Sequence, residues 1–375
     1  MIFGIPVEIH HHEYRVGATP NLVKELIDLD HQVLVEAKAG EKSGFSDHDY
    51  EAAGATVVPS PEKLYSQSEC ILKIKSPNPV EYELIRPHHN VFSFFHFFSN
   101  LEMTRSLMAR GCTCFAYDLV KTAENLRPLL NVDRQIAGQL AMQQSAYFLQ
   151  AHHGGRGSLL GEAAGNQLTT VTIIGASYSA ISAVLCAVKM GAAVTMLVDD
   201  LDALNYASIE LPADVSIKIR SEQNFKEILP VTDVLISAVQ QVDSISQIVI
   251  SNEAVQLLPK GAVIIDLDID YGGSVETSTP TTFENPVFLK EGVIHYCVPG
   301  ITGVVPRTAS AAFSEILAPF ILKCAGSGLP EAFKKDEVLN SGLAIFEGRI
   351  TNRKLAEELA VSFYDFNDYT EPNSG

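Results

Sequence analysis

The chain has 375 residues, of which 46% are hydrophobic and 19% charged, and its formal net charge at pH 7 is −18. This length allows two domains with separate cores, and the composition is typical of a globular protein rather than a disordered one. The negative charge argues against nucleic acid and anionic membranes as partners, because both bind positively charged surfaces.

The first part of the chain predicts a layered α/β domain. Strands are expected at residues 2–6, 31–37, 55–58, 70–74, 91–93 and 113–116, and helices at residues 19–28 and 47–53. The first of these helices starts with Thr-Pro, a favourable start because the N–H that proline lacks has no helical partner there. The alternation predicts a parallel sheet covered by helices on both faces.

A second α/β domain is expected after a long helix at residues 128–150 and a glycine-rich connector. Residues 171–184 (VTIIGASYSAISAV) predict a buried strand, a tight turn and a helix, which is how a dinucleotide-binding βαβ unit opens. Further strands are expected at residues 193–197, 215–219, 233–236 and 262–266. The chain after Pro306 predicts mostly helix, at residues 309–325, 331–334 and 352–359, and we expect it to pack against the first domain.

The fold prediction is therefore α/β, with two doubly wound parallel-sheet domains. A Rossmann-type dinucleotide-binding domain at residues 130–305 is inserted between the halves of a substrate domain, residues 1–129 and 306–375.

Compartment and membrane association are predicted from cysteines and apolar runs. The six cysteines have no metal-like spacing beyond one Cys-x-Cys, and we expect reduced thiols packed as small hydrophobic side chains. No secretory signal is visible, and no apolar run is expected to reach the roughly 20 residues of a membrane helix. These features predict a cytoplasmic protein that does not span a membrane.

The turn after the first strand of the second domain departs from the G-x-G-x-x-G/A fingerprint. Gly175 supplies the tight turn, and Ala180 satisfies the third position, which governs packing of the helix against the strand. Ser177 occupies the second position, where glycine lets the backbone approach the pyrophosphate.

Four polar residues fall at or near the carboxyl ends of predicted strands, where ligands collect in open α/β sheets: Arg15, Lys75, His96 and Asp270. Taken singly, each has an ordinary explanation as a solvated charge, a core histidine or a turn residue. Together they form the set that an amino-acid dehydrogenase needs. A cation binds the substrate carboxylate, and His and Asp exchange the protons of deamination.

Two groups of residues resemble metal ligands. Consecutive histidines at positions 10–12 point in different directions on an extended chain, and we do not expect them to share an ion. Asp266, Asp268 and Asp270 would share one face of a regular strand and could bind a cation, although we favour structural and catalytic roles. We predict no metal.

The chain resembles the alanine dehydrogenase and transhydrogenase N-terminal family over essentially its whole length. The resemblance lies in MIFGIPVEIHHHEYRVGATP, ILKIKSP, the His96 segment, GGRG, IIDLDIDYGG, PTTFENP and YCVPGITGVVPRTAS. It implies a two-domain fold with a Rossmann domain in the middle, and a homohexamer. It also implies that Arg15 and Lys75 hold the substrate carboxylate or carbonyl, that His96 is an acid/base and orienting group, and that Asp270 is a second acid/base group.

The chain departs from the family mainly at positions that bind the cofactor or lie beside it in the family. The acidic residue that binds the adenosine ribose in the family corresponds to Val198, which Asp199 and Asp200 follow. Asp199 could meet the ribose after a small register change. NADP is not automatically favoured, because no Arg or Lys follows Val198 and the two carboxylates would repel a 2′-phosphate. The family's Asn-Met-Pro corresponds to residues 300–302 (GIT) and its Met-Ser to residues 133–134 (DR). The expected cofactor-binding residues are Gly175, Ser177, Tyr178, Ser179, Val198, Asp199, Arg134, Val239 and Ile301.

The predicted function is an NAD(P)-dependent oxidoreductase of the alanine dehydrogenase type, which interconverts a small amino acid and its 2-oxo acid. NAD is the expected cofactor, and NADP is not excluded. Residue 300 and residues 133–134 motivate one alternative, an imine-reducing opine-type or diamino-acid dehydrogenase. Ser177 and Val198 motivate the other, a non-catalytic dinucleotide-fold protein.

Overall fold

A computed structural model describes residues 1–161, 163, 168–239 and 247–369. The strands are, in chain order, β1 (Ile2–Ile5), β2 (Gln32–Glu36), β3 (Thr56–Val58), β4 (Cys70–Lys75), β5 (Asn90–Phe94), β6 (Thr113–Ala116), β7 (Thr170–Ile174), β8 (Ala193–Val198), β9 (Ser216–Ile219), β10 (Val234–Ser237), β11 (Val263–Asp266), β12 (Val287–Lys290), β13 (Val293–Tyr296), β14 (Leu343–Phe346) and β15 (Arg349–Ile350).

The α-helices are, in chain order, α1 (Pro20–Asp28), α2 (Asp47–Ala52), α3 (Pro61–Gln67), α4 (Pro79–Tyr82), α5 (Leu101–Arg110), α6 (Pro128–Phe148), α7 (Tyr178–Lys189), α8 (Leu201–Glu210), α9 (Glu222–Ile228), α10 (Asn252–Val255), α11 (Pro306–Ser327), α12 (Leu329–Lys335), α13 (Glu337–Gly342) and α14 (Arg353–Leu359). Proline at the first turn starts α1, α3, α4 and α11. Side-chain oxygens of Ser46 and Ser60 cap the next backbone N–H groups of α2 and α3.

The chain forms two compact units, Met1–Val132 with Gly303–Gly375, and Asp133–Thr302. The sheet of the first unit has the order β15-β14-β6-β5-β4-β1-β2-β3. Its strands pair in parallel except at β14, which is antiparallel to β6 and β15. Its parallel strands are covered by helices, and β4 and β6 are almost entirely buried.

The sheet of the second unit has the order β12-β13-β11-β10-β7-β8-β9, parallel except for β12. From β7 the sheet extends through β8 and β9 on one side and through β10, β11 and β13 on the other, which is the strand order of a doubly wound dinucleotide-binding domain. β12 is added at one edge. One part of its core lies under β7, β10 and β11, and its members are Ile174, Leu197, Leu235, Val255, Ile264 and Val293 among others. The predicted α/β class, with two mostly parallel sheets, is confirmed.

One expectation about the later part of the chain is incomplete and another is wrong. The segment after Pro306 is mostly helical, as expected, but β14 and β15 also form a hairpin there that extends the first sheet. Helix α11 is long and apolar enough to cross a membrane by length and composition alone, contrary to the expectation that no run reaches that length. Half of the tested window is buried inside the structure, and α11 contacts α1 and α12, as expected for a core helix.

Candidate active site

Each sheet reverses its strand order beside its first strand. In the first unit β1 lies between β2 and β4, and in the second unit β7 lies between β8 and β10. In open α/β sheets, ligands bind beyond the carboxyl ends of the strands at such a switch point. We call the carboxyl ends of β1, β4 and β5 the first switch point, and those of β7, β10 and β11 the second switch point.

Arg15 follows β1 and is held by a neighbour that sequence reasoning missed. Its buried guanidinium forms a bidentate ion pair with Glu13, in which Nε donates to Oε1 and Nη2 to Oε2, each at 2.7 Å. Burial raises the pKa of Glu13, but Arg15 outweighs burial and holds this pKa below its usual value. Gly17 lets the segment approach β4 closely, since a Cβ there would lie 2.2 Å from the carbonyl oxygen of Leu72. Arg15 is therefore fixed at the first switch point.

Lys75 is the last residue of β4 and is half buried. Its Cα pairs with that of Phe94 in β5, after an irregularity in the register that begins at Leu72. Irregularities of this kind turn the side chains that follow them and occur often beside active sites. The register of β4 therefore determines where Lys75 is presented.

A buried cluster of charges holds the irregular part of β4. The Nζ atom of Lys73 lies 3.2 Å from Oε2 of Glu8 and 2.9 Å from Oε1 of Glu81. Tyr65 donates to Glu81 at 2.9 Å, and the backbone N–H of Ile74 donates to Glu8 at 2.6 Å. Burial raises the pKa of Glu8 to about 7; Lys73 opposes this rise, and the nearby carboxylates of Glu13 and Glu81 add to it. We call Glu8, Lys73 and Glu81 the buried acid–lysine cluster.

His96 follows β5 in a left-handed backbone conformation, with φ of +51°. Few residues other than glycine adopt this conformation, and those that do are common at functional sites. The imidazole is half buried and stacks on Phe94 at 6.3 Å between ring centroids. The preceding backbone N–H, of Phe95, donates to buried Asp118 at 3.1 Å. His96 is thus held at the first switch point beside aromatic rings that restrict water.

The turn after β7 requires glycine at position 175. Gly175 has φ of +101°, and a Cβ there would lie 2.3 Å from the carbonyl oxygen of Ala238. The backbone of Val239 would lie 2.7 Å from the same Cβ. The turn and the carboxyl end of β10 therefore pack backbone against backbone at the second switch point.

Ser177 is the N-cap of α7, with an ordinary extended conformation that needs no glycine. Its Oγ accepts a hydrogen bond from the N–H of Ala180 at 3.1 Å, which leaves the hydroxyl proton as a donor. Ser179 is buried and Tyr178 is partly exposed. A tight turn and a twelve-residue helix that presents its N-terminal N–H groups fit a pyrophosphate, so these residues suit a dinucleotide.

The end of β8 differs from the expected arrangement. Val198 is the last residue of the strand and is fully buried, so its side chain offers no acceptor to a ribose. Asp200 caps α8 by accepting from the N–H of Ala203 at 2.8 Å. Asp199 is exposed and forms an ion pair with Arg220. A cation does therefore lie beside these carboxylates, which the sequence next to Val198 did not reveal.

Asp266, Asp268 and Asp270 do not share a strand face, because β11 ends at Asp266. Asp266 accepts from the backbone N–H groups of Asp268 and Ser274, both at 3.0 Å. Burial, reinforced by Asp268, raises the pKa of Asp266 to about 6. Asp268 accepts from the N–H of Val239 at 2.8 Å, so these two carboxyl groups hold the loops beyond β10 and β11.

Asp270 lies in a short 3-10 turn, half buried, at the second switch point. Its Oδ2 accepts a hydrogen bond from the backbone N–H of Gly300 at 2.9 Å. Gly300 has φ of +65°, a conformation that glycine adopts without strain. The backbone at position 300 therefore gives the carboxylate of Asp270 a fixed partner.

The other positions that depart from the family, residues 133–134 and 301–302, are buried or hydrogen-bonded inside the second unit. Asp133 accepts a hydrogen bond from the hydroxyl of Thr302 at 2.7 Å. Arg134 and Ile301 are buried. Because of its bond to Thr302, Asp133 is part of the local structure rather than an additional charge exposed to a ligand.

In the first unit, the Nε2 of His10 lies 2.8 Å from the carbonyl oxygen of Ser76 and donates a hydrogen bond to it.

Family models, relatives and a solved structure all match this chain over nearly its whole length. The family descriptions "Alanine dehydrogenase/PNT, N-terminal domain" and "Alanine dehydrogenase/PNT, C-terminal domain" match residues 4–137 and 141–353. An alanine dehydrogenase of Mycolicibacterium smegmatis is 36% identical, covering 97% of this chain and 98% of that protein. One of Bacillus subtilis is 34% identical, covering 97% and 96%. A solved L-alanine dehydrogenase superposes with a TM-score of 0.90 at 34% identity, over 96% of this chain and 99% of that one.

Proposed function

This chain belongs to the alanine dehydrogenase/PNT family, and from that premise we propose that it interconverts a small amino acid and its 2-oxo acid with NAD as cofactor. The observation that carries the proposal is the grouping of Arg15, Lys75 and His96 at the first switch point, in a chain whose second unit has a dinucleotide turn. We infer that the first unit holds the substrate and the second the cofactor.

Substrate binding is assigned to Arg15 and Lys75. Because Glu13 holds the guanidinium at two of its nitrogens, the orientation of Arg15 is set before a carboxylate arrives. The ammonium of Lys75 is a point charge suited to the carbonyl oxygen or to the second carboxylate oxygen. Both cations are balanced nearby by Glu13, whose pKa each of them lowers.

Proton transfer is assigned to His96 and Asp270. A nicotinamide held by the second unit would supply the hydride chemistry at Cα, and the steps left to the residues of this chain are addition of water to the iminium carbon and loss of ammonia. Water must give up a proton as it adds, and the nitrogen must gain one as it leaves. Imidazole changes charge between pH 5 and 8 and serves both steps. Asp270, oriented by the N–H of Gly300, is the second acid/base group.

Cofactor binding is assigned to the turn after β7. The N-terminal N–H groups of α7 and the hydroxyl of Ser177 suit the pyrophosphate. Val239 and Ile301 adjoin loops that Asp268 and Thr302 tie down, and Arg134 lies in the same unit. These assignments extend the family's nicotinamide dinucleotide dependence to named residues.

The assay that tests the function follows oxidation of NADH spectrophotometrically with a series of 2-oxo acids. Ammonium is the amine donor in one arm and primary amino acids in the other. We expect ammonium-dependent oxidation with short 2-oxo acids, pyruvate first. Faster turnover with amino acids as donors would indicate an opine-type enzyme, and no turnover in either arm would indicate a non-catalytic protein.

Assembly and compartment are proposed on the resemblance. We expect a cytoplasmic homohexamer, whose mass by light scattering is six times that of one chain. A monomer or dimer at assay concentrations would contradict the hexamer without affecting the reaction.

A further inference from the structure

The ion pair between Asp199 and Arg220 lies where the carboxyl ends of β8 and β9 meet. Nε and Nη2 of Arg220 approach the same oxygen, Oδ1 of Asp199, at 2.7 and 2.5 Å. The backbone N–H of Arg220 donates to the carbonyl oxygen of Val198 at 2.7 Å, which fixes the arginine beside the strand end. In dinucleotide-binding folds, the residues just beyond the second strand meet the adenosine ribose.

Of the two carboxylates directly after β8, Asp199 is the one available to a ribose. Val198 is buried and apolar, and Asp200 is committed to capping α8. Both contacts from Arg220 fall on Oδ1 of Asp199, and none of the hydrogen bonds in the described part of the chain reaches Oδ2. Asp199 therefore keeps an oxygen that can accept the 2′-hydroxyl while Arg220 neutralises its charge.

We propose that Asp199 and Arg220 together form a ribose-recognition pair that accepts either a 2′-hydroxyl or a 2′-phosphate, so that the protein binds NADPH as well as NADH. The proposal rests on the nicotinamide-dinucleotide function above and extends it to cofactor choice. A lone aspartate here repels a 2′-phosphate, whereas this aspartate carries its own counter-ion.

Separating the side chains of Asp199 and Arg220 costs little free energy. The side chains of Arg220 and Asp199 are 30% and 44% exposed, and ion pairs in such settings add little stability. The planar guanidinium can then donate two parallel hydrogen bonds to phosphate oxygens, a geometry that an ammonium cannot supply. With NADH the pair stays closed and Asp199 accepts the hydroxyl. The same two side chains thus serve both cofactors.

The experiment measures the dissociation constants of NADH and NADPH by calorimetry on the purified protein. The variants are Arg220→Gln, Asp199→Asn and the control Lys218→Gln, which removes a positive charge two residues before Arg220, within β9. For wild type we expect the two constants to lie within about tenfold of each other. Arg220→Gln should weaken NADPH on the order of ten- to hundredfold and NADH less than about twofold. Asp199→Asn should weaken NADH and spare NADPH, and Lys218→Gln should change neither.

Four outcomes overturn the proposal. If wild type binds NADH but not measurably NADPH, the pair does not accept a phosphate, and the proposed function stands without it. If Arg220→Gln weakens both cofactors equally, or if Lys218→Gln weakens NADPH as much as Arg220→Gln does, the pair does not discriminate. If wild type binds neither dinucleotide, the proposed function fails as well.

Discussion

Replacing Arg15 by lysine tests whether the first switch point binds a substrate carboxylate. The change keeps the positive charge next to Glu13 but removes the planar fork that makes two 2.7 Å contacts. One charge-assisted hydrogen bond contributes about 1.5–3 kcal/mol, which corresponds to roughly a 10- to 150-fold change in affinity. We expect KM for the 2-oxo acid to rise by about that factor, with a matching fall in kcat/KM.

The assay is initial-rate kinetics at saturating NADH and ammonium, with the dissociation constant of NADH measured in parallel. Arg110→Lys is the matched control, because Arg110 pairs with Glu83 on the exposed surface. The control should leave KM unchanged, and neither variant should alter NADH binding. A KM for Arg15→Lys within twofold of wild type would refute the assignment of Arg15 to the substrate site.

The remaining predictions concern the cofactor turn, proton transfer and the buried acid–lysine cluster. Ser177→Gly should weaken NADH binding severalfold in a fluorescence titration, since it removes a hydroxyl; tighter binding would mean that the side chain crowds the pyrophosphate. His96→Ala and Asp270→Asn should each lower kcat by roughly 10²–10⁴-fold while dinucleotide binding persists; near-normal turnover would exclude proton transfer by these groups. The pKa of Glu8 in the folded state is about 7, above the usual glutamate value of 4.5. The folded state therefore binds more protons between these values, and stability should fall as pH rises through this window, by up to about 3 kcal/mol. Glu8→Gln should flatten that part of the profile of Tm against pH, and an unchanged slope would show that Glu8 does not titrate there.

Much of the fold was predictable because its signals are local. Short apolar runs that alternate with helical segments along the chain indicated the parallel strands, and the small residues after residue 174 indicated the dinucleotide turn. Strand order was not predictable in the same way, because pairing of parallel strands is decided by tertiary packing. The hairpin β14–β15 was missed because two strands of four and two residues carry little periodicity.

The site was only partly predictable. Arg15, Lys75, His96 and Asp270 stand at or near strand ends, and this position together with their side-chain chemistry and the family resemblance singled them out. Glu13 was missed although it lies two residues before Arg15, since a nearby carboxylate is usually solvated.

The partnerships that matter most join residues distant in sequence. Lys73 meets acids 65 residues before and eight residues after it, counted from its contacts with Glu8 and Glu81. Its position inside the apolar strand ILKIK was the available signal of a buried, paired lysine. Asp199 and Arg220 are 21 residues apart and meet only because β8 and β9 are neighbours.

Transfer of deuterium tests the central claim most directly. The protein would be incubated with pyruvate, ammonium and NADH that carries deuterium at the transferable C4 position, and the amino acid formed would be analysed by mass spectrometry. If this chain catalyses reductive amination, the amino acid gains one deuterium at Cα, and His96→Ala forms it far more slowly. Formation of the amino acid without deuterium at Cα, or no amino acid with any short 2-oxo acid, would contradict the account.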